Sequence, residues 1–388
     1  MAAVSPSLSI QERDRRYALL RERLRERGVD CAVVAASNLF YLTNGVPGER
    51  HGLFPTDPEV LTVAVHERNV VDLPPEGLAQ IQRWVQDLRP GNDASPLVER
   101  IRELRLENGV VGLVNSTIGY GGLSHGICSR LQSALPSARF IDVSDAFAAV
   151  RAVKSEEELA LIERANQIFE AGVEAVRERV RPGMLGVRAI HEGTRGMWEA
   201  GGDLSSTLGF SCWSVPKRNH VLQQLSLGRT IEPGDVAILT GWARYGGYVG
   251  HGDEVVCFGP PSALHREMLG AVRFVRDAIM RQVRPGATQR QLVEAYQSAC
   301  RETAFWASTQ AQIHQYGIDG TEHPGPAFAI ASATGDFVLH SGMVYSIAPA
   351  VQVPGGEDTI IGGTTLVVTP DGYRELSSHR VELLSTGT

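Results

Sequence analysis

The chain has 388 residues, 43% of them hydrophobic and 21% charged, with a formal net charge of −7 at pH 7. Those proportions exclude a disordered chain, and the acidic balance argues against a nucleic-acid partner, because phosphate contacts need clustered basic side chains. No apolar run approaches the roughly 20 residues that cross a bilayer. The N-terminus, MAAVSPSLSIQERDRR, lacks the apolar core of a signal peptide. A cytoplasmic protein without a membrane partner is therefore expected. Five cysteines (Cys31, Cys128, Cys212, Cys257, Cys300) are scattered and never form a CxxC pair, which disfavours a disulfide framework or a zinc cage. The length is large for one core and comfortable for two domains.

Residues 10 to 28 carry Tyr17, Leu19, Leu20 and Leu24 at helical spacing, and Gly28 stops the helix. Short apolar runs at 31–35, 110–114 and 140–143 read as buried strands alternating with helices, an α/β layer pattern. The stretch from Gly45 to Pro58 is rich in proline and glycine and reads as a loop, in which Glu49, Arg50 and His51 cluster. A long amphipathic helix is predicted from Ser155 to about Val176, with Ser155 and Glu158 forming a capping box. Its start places a domain boundary, giving domains 1–150 and 151–388.

Beyond it, Val236 to Thr240, a Gly-rich turn and Tyr248 to Phe258 read as a hairpin. Helices are predicted over 262–284 and 289–303. Strands are predicted over 343–353 and 364–369, the last closing on the turn Pro370-Asp371-Gly372. On a strand over 248–258, His251 and Asp253 are two residues apart and share a face.

Several of these segments resemble the creatinase/aminopeptidase P/prolidase family. They are Arg151-Ala152-Val153-Lys154-Ser155 with Glu157-Glu158, Pro233-Gly234-Asp235, Gly247-Tyr248, Gly342 to Ile347 with Pro349, and Val368-Thr369-Pro370-Asp371-Gly372. The resemblance covers nearly the whole chain. It implies an α/β N-terminal creatinase-type domain followed by an α+β pita-bread C-terminal domain. Peptidases of the family hold two divalent ions with two aspartates, a histidine and two glutamates. By the flanking residues, those five positions fall here on Thr240, His251, Tyr316, Ala348 and Gly363. Without carboxylates there, two dications have no adequate ligand set. No metal and no cofactor is expected, and the two small residues are expected to enlarge the cavity.

The metal-free precedent in the fold is creatinase. The resemblance to it implies His220 as catalytic acid/base, Asp253 as a substrate-holding acid and His323 as the family's second histidine. His251 is added as a group able to shuttle protons or orient Asp253. Tyr316, Thr240 and Arg50 are candidate substrate contacts, Arg50 because the corresponding loop of creatinase reaches the partner subunit's site. Ala348 and Ala327 stand where creatinase grips its substrate, so creatine itself is disfavoured.

The leading expectation is a homodimeric, metal-independent enzyme acting on a small polar substrate, with C–N bond hydrolysis as its reaction. The same groups serve elimination, decarboxylation or isomerisation. Two other readings stay open: a non-catalytic peptide- or protein-binding module, which the lack of long charged tails disfavours, and a one-metal hydrolase using His251, Asp253 and His323.

Overall fold

The computed structural model describes residues 8–46, 49–66, 75–115, 122–214, 228–308, 311–322, 337–355, 359–378 and 381–386. The chain divides into two compact units, Met1–Arg151 and Ala152–Thr388.

The first unit opens with α1 (Ile10–Glu26). Its Ser9 cap accepts from the Glu12 N–H, and Tyr17, Leu20 and Leu24 form its buried face. The remaining elements are β1 (Cys31–Ala35), α2 (Ala36–Thr43), β2 (Glu49–Pro55), β3 (Thr62–Val65), α3 (Pro75–Gln82), β4 (Asp87–Pro90), α4 (Ser95–Glu103), β5 (Val110–Leu113), α5 (His125–Ala134), β6 (Arg139–Asp142) and α6 (Ser144–Ala152). Six strands form one mixed sheet in the order β4-β3-β2-β1-β5-β6. The fully buried β1 lies parallel to β5 and antiparallel to β2. One expectation fails here. The stretch 45–58 is not all loop, because Glu49–Pro55 is recruited as a strand by ladders to β1 and β3. Local composition carries no trace of those non-local partners.

The second unit begins with α7 (Glu156–Arg179), whose Ser155–Glu158 capping box is formed as the sequence predicts. After it come α8 (Val187–Glu199), β7 (Thr207–Ser214), β8 (Val236–Tyr245), β9 (Tyr248–Cys257), α9 (Ala263–Met280), α10 (Gln289–Arg301), β10 (Trp306–Ala307), β11 (Gln312–Gln315), β12 (Val344–Ala348), β13 (Ala350–Gln352), β14 (Thr359–Ile361), β15 (Thr364–Thr369), β16 (Gly372–Glu375) and β17 (Leu383–Ser385). They make three sheets, ordered β17-β9-β8-β7, β11-β12-β15-β16 and β10-β13-β14.

The hairpin β8–β9 is longer than predicted. Pairing continues to Tyr245↔Tyr248, so the turn is only Gly246-Gly247, both at positive φ. Two consecutive positive-φ residues are what a tight hairpin of this twist requires. The predicted strand over 343–353 is split at Pro349, which has no N–H to give a ladder. One core cluster packs α9 and α10 on β12, β13 and β14, and another packs α7 and α8 on β8 and β9.

Candidate active site

Two elements build the site: the β8–β9 hairpin and β11. In the hairpin Thr240 stands directly opposite Asp253 and Trp242 directly opposite His251. Cross-strand partners lie on one face, as do residues two apart, so these four side chains share a face. Asp253 is 1% exposed and His251 5%. His251 Nε2 lies 3.7 Å from Asp253 Oδ2, beyond direct hydrogen-bond range. The other ring nitrogen, Nδ1, is 3.0 Å from the Gly241 carbonyl. A carbonyl only accepts, so Nδ1 carries the proton and donates. Nε2 then presents its lone pair whenever the imidazole is neutral.

From β11 come His314 and, just past its end, Tyr316. The His314 ring centroid is 5.4 Å from that of His251, and the Tyr316 centroid is 6.3 Å away, edge on. Burial pushes His314 down to about 3, with a smaller push from His251, so it is neutral at physiological pH. Burial likewise raises the Tyr316 phenol, against weaker opposing hydrogen bonds with Thr365 and Asn166, so it stays protonated. Asn166, on the buried face of α7, joins both residues. Its Oδ1 accepts the His251 backbone N–H at 3.1 Å, and its Nδ2 donates to the Tyr316 hydroxyl at 3.3 Å.

Helix and strand approach this closely because residues 250 and 252 are glycines. A Cβ on Gly250 would collide with the α7 backbone at Ala165 and Asn166, and one on Gly252 with the Phe169 ring. The final strands close the site from another side. The Gly363 N–H donates to the Asp253 carbonyl at 3.1 Å, and Thr365 Oγ1 donates to the His251 carbonyl at 3.0 Å.

The positions assigned by resemblance to metal ligands are thus gathered about His251 and Asp253. Their side chains do not fit two dications. Thr240 and Tyr316 are neutral, Ala348 and Gly363 offer no donor, and His251 alone is a good ligand. Among the described residues no cluster of three His, Cys, Asp or Glu side chains could hold a metal ion. A Cβ on Gly363 would sit 3.2 Å from that of Ala348 and 3.5 Å from that of Asp253.

His220 and His323 lie outside the described residues. Arg50 is exposed on β2 of the first unit. Sequence reasoning missed Trp242, His314 and Asn166. Trp242 was within reach, two residues beyond Thr240 on the same strand. His314 was not, because the polar run Gln312–Gln315 carries no strand signal and is a strand only through its pairing with β12.

Among the described residues no helix is long and apolar enough to cross a membrane. Residues 160–370 match metallopeptidase family M24, and residues 16–153 match the creatinase/prolidase N-terminal domain. The Xaa-Pro dipeptidase of Lactobacillus delbrueckii subsp. lactis is 22% identical over 94% of this chain and 97% of its own. The creatinase of Bacillus sp. (strain B-0618) is also 22% identical, over 91% of this chain and 87% of its own. Among solved structures, an Xaa-Pro dipeptidase from Bacillus anthracis superposes with a TM-score of 0.78 at 20% identity, covering 96% of this chain and 99% of the other. The prolidase of Pyrococcus horikoshii OT3 gives 0.76 at 19%, covering 95% and 99%. At such identities the superpositions establish the pita-bread fold alone. The match to residues 160–370 spans more than half of the chain, and with it the chain belongs to metallopeptidase family M24, carrying a creatinase/prolidase N-terminal domain.

Proposed function

We propose that this chain is a metal-independent enzyme that hydrolyses a C–N bond in a small polar substrate by histidine acid/base chemistry. The observation that carries the reading is the donor set. Where the family's dinuclear site would stand, the side chains are Thr240, His251, Tyr316, Ala348 and Gly363, while a buried acid and imidazole, Asp253 and His251, lie among them. The named relatives include dipeptidases and a creatinase, which favours hydrolysis over elimination, decarboxylation or isomerisation.

In this reading Asp253 holds a polar group of the substrate. His251, oriented by its Nδ1–H donation to Gly241, offers Nε2 as a further acceptor beside it. The Tyr316 hydroxyl, kept protonated, is a neutral donor for charge developing on the substrate. His220 is proposed as the principal acid/base on the strength of the resemblance. The same resemblance suggests a homodimer, which light scattering tests, a monomer refuting it.

Purified protein is expected to carry less than about a tenth of an equivalent of metal per chain, and its turnover to survive exhaustive chelation. His220→Ala is expected to abolish that turnover while leaving the far-ultraviolet circular dichroism unchanged. Close to one equivalent of metal, with activity lost on chelation, would overturn the reading in favour of a one-metal hydrolase.

A further inference from the structure

We infer that the His251–Asp253 pair receives a primary ammonium group of the ligand. The inference rests on the proposed function only in taking this face as the substrate's. Asp253 is almost wholly buried, and among the described residues nothing donates a hydrogen bond to either of its carboxylate oxygens. With His251 in its neutral form that buried carboxylate is uncompensated, which is costly, so the arrangement then calls for a positive charge from a bound partner. His251 Nε2 is likewise without a hydrogen-bond partner among the described residues.

These acceptors stand 3.7 Å apart. That is too far for them to share a direct hydrogen bond, yet close enough for one nitrogen to donate to both at about 2.9 Å. Thr240, directly across from Asp253 on the same face, offers a hydroxyl as third acceptor. Three acceptors answer the three N–H bonds of an ammonium.

Charge and shape separate this group from its rivals. One carboxylate balances one positive charge, whereas a neutral amide would leave that charge uncompensated. A planar guanidinium spreads five N–H donors in a fork, more than these three acceptors satisfy, and Ala348 and Gly363 add none. The titratable groups facing the pair from β11 are His314 and Tyr316, both neutral near pH 7, so neither competes as a cation. Thr240, Trp242 and Asn166 are uncharged.

The test titrates the full-length protein by calorimetry with n-butylammonium, n-butylguanidinium, butyramide and 1-butanol, and separately with Zn²⁺. Butylammonium is expected to saturate and to bind at least about tenfold more tightly than the other three organic probes. Asp253→Asn should weaken it tenfold or more and Thr240→Val several-fold, with circular dichroism and melting checking that both variants fold. Equal binding of butylguanidinium, no saturable butylammonium binding, or affinity indifferent to Asp253→Asn would overturn the inference. If Zn²⁺ is also not bound, that failure leaves the metal-independent reading standing. Micromolar or tighter Zn²⁺ binding that His251→Ala abolishes would overturn both.

Discussion

Burial keeps His314 neutral far below the pH at which an exposed histidine takes up a proton, and that difference is a term in stability. Its folded-state value is pushed down to about 3, against an ordinary value of 6.5. Between those limits the unfolded chain binds a proton that the native state refuses, so native stability falls as pH drops from 6.5 toward 3. The slope from this one group is about 1.4 kcal/mol per pH unit once the unfolded histidine is protonated. A His314→Gln variant is therefore expected to lose less stability than the parent between pH 6.5 and pH 4.5, while both keep a constant difference above pH 7.5. Urea denaturation at stepped pH measures this. Parallel curves through the acid range would show that His314 is not held neutral in the native state.

At the scale of elements, the site depends on how closely α7 lies against β9. Gly250 meets helix backbone, which cannot move aside, whereas Gly252 meets the Phe169 ring, which can turn. Gly250→Ala is accordingly expected to destabilise the protein by about 3 kcal/mol. It should also part Asn166 from the His251 N–H. Gly252→Ala should cost less. Equal denaturation midpoints for the two variants and the parent would contradict this packing. Such contacts explain which elements are legible in the sequence. The helix α7 carries its own capping box, and β15 is an apolar run with a turn after it, so both can be read locally. The strands β2 and β11 cannot, since Glu49–Pro55 and Gln312–Gln315 owe their conformation to neighbours distant in the chain. For the same reason Asn166 reads as one more polar residue on a helix until β9 is laid against it.

Across the whole molecule, the site is assembled from positions strung between Asn166 and Thr365. The resemblance located Thr240, His251, Asp253 and Tyr316 among them because family motifs flank each one. It could not show that His314 is buried beside them, nor that Lys154 is more than part of the segment leading into the second unit. Lys154 Nζ donates to Glu322 Oε2 at 2.8 Å, with both side chains almost completely buried. The other Glu322 oxygen accepts the Ile318 N–H at 2.9 Å, and the Glu322 N–H donates to the Gln315 carbonyl, also at 2.9 Å. The ion pair thus fastens the start of the second unit to the loop that leaves β11 through Tyr316. Removing one member of a buried pair strands the other charge, at a cost of about 3–5 kcal/mol. Lys154→Met should therefore destabilise the second unit by that order. The first unit has a separate core around Cys31, Val33, Leu97 and Val111, so it should be spared. Native-state hydrogen exchange reads this directly. Amides of α7, β11 and β12 are expected to lose protection while those of β1 and β5 keep theirs. A uniform loss across both units would mean that they unfold as one, and unchanged protection of β11 would mean that the ion pair does not hold the loop.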